Sequence, residues 1–140
     1  MTLRTILSIG AGLLAVLLLD VLGTGVLMVV NGDLVSNAAA EVLPAPEWVL
    51  LDMIVRVMSA VSGGYVAAAI APRLGLRHAV TVGAIATILG VVFVAAATYP
   101  LWYNLVSIGL ILPATAMGGA IGAERNRTAR RMNRAEPRTA

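Results

Sequence analysis

The chain has 140 residues, 59% hydrophobic and only 12% charged, with a net charge of +3. A soluble domain carries about 25% charged residues, so this one has too few to cover a water-facing surface, and its apolar residues come in long blocks. With no cysteine and a single histidine, disulfides, thiolate chemistry, cysteine metal sites and a multi-histidine centre within one chain are excluded.

Long apolar blocks predict an all-α integral membrane protein, because barrel strands would alternate with period two. A span needs about 20 mostly apolar residues, and four segments qualify. The first covers 5–30 and ends at "NGD" (31–33). Ala38 and Ala40 form an A-x-A pattern, but the apolar run far exceeds the 7–15 residues of a signal-peptide core, so span one is expected to be retained. "LVSNAAAEVL" in loop 31–46 suits either a short surface helix or a loose loop. The second span covers 47–71, with Pro46 at a helix start, Glu47 at the positive end of the dipole and Trp48 as an interface anchor. "APRLG" separates it from the third span, 78–98, and "TYPLWY" turns into the fourth, 101–123. Pro113 should free the carbonyl of Gly109 and kink that helix. A basic tail, 124–140, follows.

Arginine placement predicts orientation. Arg4 precedes span one, Arg73 and Arg77 lie in loop two, and the tail holds Arg125, Arg127, Arg130, Arg131, Arg134 and Arg138, whereas loop one has Asp33 and Glu41 and no basic residue. Both termini are therefore expected in the cytoplasm. Every basic side chain is arginine among many Ala, Val and Gly, a codon signature of a GC-rich bacterial genome, and the expected location is the bacterial inner membrane.

The second span carries two full charges, Asp52 and Arg56, one turn apart. Counting 1.5 Å per residue places Asp20 of span one at about the depth of Arg56. The expected cluster pairs Asp20 with Arg56 and adds Asp52 from above. Charge in hydrocarbon costs several kcal/mol unless paired, so these residues should face the bundle interior. They serve either as a proton, ion or small-anion site, or as an ion pair that sets helix register. Small residues mark the expected helix contacts: Ala60, Gly63, Gly64 and Ala68 on span two, Gly83 and Gly90 on span three, and Gly118, Gly119 and Gly122 on span four. Ile54, Met58, Val61 and Tyr65 are expected on another side, toward lipid or a partner.

The tail reads as a disordered anchor on anionic lipid, with each basic residue contributing about 1 kcal/mol; Arg73 and Arg77 join it as lipid or partner contacts. It has no aromatics and no folded module, which argues against nucleic acid. "PRLGLRH" (72–78) shares Arg-x-Gly-x-Arg with an inner loop of major facilitator transporters, but it lacks that loop's acidic residue, and four spans are too few. We read it as turn chemistry.

The pattern Gly63-Gly64-Tyr65-Val66-Ala67-Ala68, a basic loop, His78-Ala79, Pro100-x-Trp102-Tyr103, Pro113-Ala114 and Gly118-Gly119 resembles small, uncharacterised bacterial four-helix membrane proteins. It covers the last three spans. The resemblance implies a four-span inner-membrane protein and brings no assigned activity.

No nucleophile–base pair, phosphate loop or metal cluster is present, so neither an enzyme nor a cofactor is expected. Two roles remain. The first is an accessory or assembly subunit packed against itself or a larger membrane complex. The second is a homo-oligomeric transporter or channel built around Asp20, Asp52 and Arg56.

Overall fold

A computed structural model describes residues 3–30, 46–71, 74–94 and 101–135. They form four helices: α1 (Leu3–Val30), α2 (Pro46–Ile70), α3 (Gly75–Val94) and α4 (Leu101–Ala135). Among the described residues there is no strand, and all four helices are long and apolar enough to cross a membrane. Residues 31–45 and 95–100, with the surface helix or loose loop and the aromatic turn expected there, and Arg73 and Arg138, lie outside the described residues.

Helix α2 is the hub. It touches the other three, while among the described residues α1 and α4 do not meet. The partners fix the directions. Thr24 meets Asp52 and Gly12 faces Gly63, so α1 and α2 are antiparallel. Gly83 faces Thr115 and Gly119 faces Ala79, so α3 and α4 are antiparallel too. Asp52 meets Tyr103 and Ala68 meets Asn126, so α2 and α4 run parallel.

The sequence explains this tight centre. The buried residues of α2 are Asp52, Ser59, Ala60, Gly63, Gly64, Ala67 and Ala68, a helical stripe with no large apolar side chain. Helices meeting through such stripes approach almost backbone to backbone, and close packing replaces the hydrophobic drive that lipid removes. Three buried hydroxyls are returned to their own helices: Ser8 to Thr5 O, Ser59 to Val55 O, and Thr115 to Ile111 O and Leu112 O. The large apolar side chains, Leu14, Leu18 and Leu22 of α1 among them, point outward.

Two features depart from the sequence reading. Helix α4 does not stop at 123 but runs to Ala135, 35 residues in all. Past Ala123 it is held to α2: Asn126 Nδ2 donates to Ala68 O at 3.0 Å and Ala69 O at 3.2 Å, capping bare carbonyls at the end of α2. Arg125 donates to the Tyr65 hydroxyl, its guanidinium 6.0 Å from the ring centroid. Tyr65 therefore packs on α4 and not toward lipid, and Val61 likewise lies against Gly118; Ile54 and Met58 are exposed as expected.

The second departure is the α2–α3 corner, where α3 starts at Gly75 and not at 78. Leu74, just before it, is left-handed, at φ 55°. Leu74 O accepts from Arg77 N at 2.9 Å to start α3. Gly75 is needed for closeness: a Cβ there would sit 2.9 Å from Ala68 O. A left-handed leucine costs about 1–2 kcal/mol, and Leu74 is 61% exposed, so little packing offsets it. Leu74→Gly should leave stability unchanged or raise it by up to about 1 kcal/mol, read as the melting temperature in detergent.

Candidate functional site

The charged centre lies toward the end of the bundle that holds Val30 and Pro46. Asp52 is six residues into α2, about 9 Å along its axis, and is 7% exposed. Three side chains reach it. Arg56 Nε, one turn along α2, donates to Oδ2 at 2.8 Å. Thr24 Oγ1 of α1 donates to Oδ1 at 3.2 Å. The Tyr103 hydroxyl of α4, on a side chain 3% exposed, donates to Oδ2. One carboxylate thus joins three helices, and both of its oxygens are engaged. That fits the rule for a buried charge: it is paired, and further hydrogen bonds reach both oxygens.

The three charges of the expected cluster are brought together, but in a different pairing. Arg56 pairs with Asp52, and Asp20 is not its partner. Asp20 is half-buried and lies within electrostatic reach of both Arg56 and Asp52, yet no ion pair within 4.0 Å among the described residues includes it. Rise per residue gives depth along a helix but not azimuth. Asp20 has the depth of Arg56, and the side chain one turn further along α1, Thr24, has the angle that meets Asp52.

Two contributors were not singled out from the sequence. Tyr103 reads there as part of an aromatic turn, and Thr24 as one hydroxyl in an apolar run. Their signal is register. Antiparallel α1 and α2 pair Gly23 with Val55, which brings Thr24 level with Asp52. Tyr103 lies three residues into α4, and parallel packing on α2 sets it beside the carboxylate.

The small residues face neighbouring helices. Ala60 and Ala68 are 1% and 0% exposed. A Cβ on Gly63 would meet Gly12 O of α1 at 2.7 Å, while Gly64 and Gly118 lie directly against the Thr115 and Val61 backbones. Gly83 faces the Thr115 side chain, Gly119 faces Ala79, Gly122 lies on Tyr65 and Ala68, and Gly90 meets Ile108 more loosely, at 3.2 Å. Helix α4 continues through Pro113, which is exposed.

The basic residues occupy the other end. Arg77 is exposed near the start of α3. Arg125, Arg127, Arg130 and Arg131 belong to the same continuous helix as the preceding apolar run. Arg127 and Glu124 approach to 3.8 Å with both side chains largely exposed, a pair worth little. No family model, no curated protein and no solved structure matches the chain.

Proposed function

We propose that this chain is a small multi-pass protein of the bacterial inner membrane that acts as an accessory or assembly subunit, packed in the bilayer against itself or a larger complex. The observation that carries this reading is the tying of Asp52 to three helices. Its two oxygens take donors from three helices, which is the arrangement of a structural pin. A carboxylate so engaged holds helix faces in register. Little mass lies outside the four helices, so an interface with a partner would be made chiefly by their apolar outer faces.

In this reading both termini and the α2–α3 corner face the cytoplasm, as the arginine distribution supports. The end of α4 then stands at the cytoplasmic surface, where Arg125, Arg127, Arg130 and Arg131, with Arg73 and Arg77, meet anionic lipid or an acidic face of the partner.

A second reading, a homo-oligomeric transporter or channel, has one observation in its favour: Asp20 is a half-buried carboxylate outside the ion pairs of the described residues. Four helices are few to enclose a path, so transport would require several copies.

Gentle extraction from the native membrane, followed by the mass and composition of the intact particle, separates the two. A larger complex holding this chain at fixed stoichiometry supports the accessory role. A particle of this chain alone, with flux in liposomes that Asp20→Asn abolishes at unchanged melting temperature, overturns it.

A further inference from the structure

Ser107 breaks a pattern. The buried hydroxyls of Ser8, Ser59 and Thr115 each bond a carbonyl of their own helix, the usual way to hide a hydroxyl in an apolar bundle. Ser107 is 6% exposed, and its Oγ is buried with no protein partner. It lines a notch between α2 and α4 whose walls are Met53, Val57, Leu110 and Ile111 and whose other polar member is Arg56. Arg56 brings a guanidinium to the same notch. Its Nε serves Asp52, yet its side chain remains 35% exposed, and a guanidinium carries five N–H donors.

We propose that this notch is a hydration site, in which a water is held between Ser107 Oγ and the Arg56 guanidinium, beside the Asp52 pin. Two polar groups facing a small space are what an internal water requires. A neutral guest also suits the local charge. Asp20 and Asp52 against Arg56 leave one negative charge in excess, which disfavours a small anion despite the two donors. The water satisfies the Ser107 hydroxyl and solvates the outer part of the guanidinium. This inference does not depend on the assembly reading.

Ser107→Ala tests it, because alanine removes the hydroxyl and little else. If the site is hydrated, the melting temperature in detergent falls by about 3 °C or more. The same substitution is then made on an Arg56→Lys background, which keeps the charge and shortens its reach. Hydration predicts non-additive losses, since both side chains hold the same water. An unchanged or raised melting temperature means that the hydroxyl sits unpaired in a dry notch, and the proposal fails. A fall that adds independently to that of Arg56→Lys means that the hydroxyl serves its own helix, and the proposal fails equally.

Discussion

Asp52→Ala should lower stability by about 3 kcal/mol, from the loss of one member of a buried ion pair. The loss has two parts. Arg56 keeps its charge and loses its only ion pair among the described residues, and Thr24 and Tyr103 lose the carboxylate they donate to. Partial exposure of Arg56 puts the value at the lower end of the range for buried pairs. Asp52→Asn should cost less, since its carbonyl can still accept from Tyr103 or Thr24. The informative partner is Asp52→Leu with Arg56→Met. Removing both ions together strands neither member of the pair, although Asp20 loses its neighbouring cation and Thr24 and Tyr103 still lose their acceptor, so the double variant should melt above Asp52→Ala and below the parent. Thermal unfolding in detergent reads all three. If Asp52→Ala melts with the parent, Asp52 is not a pin, and the assembly reading loses its support.

The four apolar runs and most of their ends were legible because hydropathy over 20 residues is a strong, one-dimensional signal, and Pro46 and "APRLG" punctuate it. The small-residue stripe of α2 was legible for a similar reason: Gly63, Gly64, Ala67 and Ala68 share a helical face whatever packs on it. What escaped needed a second helix. Asp52 and Arg56 are one turn apart on one helix, so their shared face could be read, but depth without angle assigns the pairing to Asp20 and Arg56. That Thr24 and Tyr103 complete the carboxylate depends on how α1 and α4 lie on α2, which no wheel of a single helix contains. Tyr65 failed likewise: its angle on α2 was clear, but α4 occupies that side. The extension of α4 escaped because "ERNRTARRMNRA" is polar, and polarity marks the end of a membrane span without marking the end of a helix. Arg125 and Asn126 find Tyr65 and the end of α2 there, and those contacts carry the helix on.

Gly118→Ala and Gly64→Ala should each cost about 3 kcal/mol, the upper end for forcing extra volume into a packed core. At Gly118 the new methyl would fall on the Val61 carbonyl and stand 3.0 Å from Tyr65 N; at Gly64 it would fall on the Thr115 carbonyl and stand 2.9 Å from Thr115 Cα. Both obstacles are backbone, so no side chain can swing aside, and α2 and α4 must separate. Separation draws Tyr103 from Asp52 and Asn126 from Ala68, so the seam and the carboxylate centre weaken together. The double variant should therefore cost less than the sum of the singles, because the first methyl opens the gap that the second needs. Gly10, Gly25 and Gly109 are the controls. A Cβ at any of them meets nothing within 4 Å, so alanine there should be neutral or stabilise by up to about 1 kcal/mol through helix propensity. Melting curves for the five single variants decide the matter. Equal behaviour across all five would mean that the glycines do not serve close approach, and the parallel α2–α4 seam would be wrong.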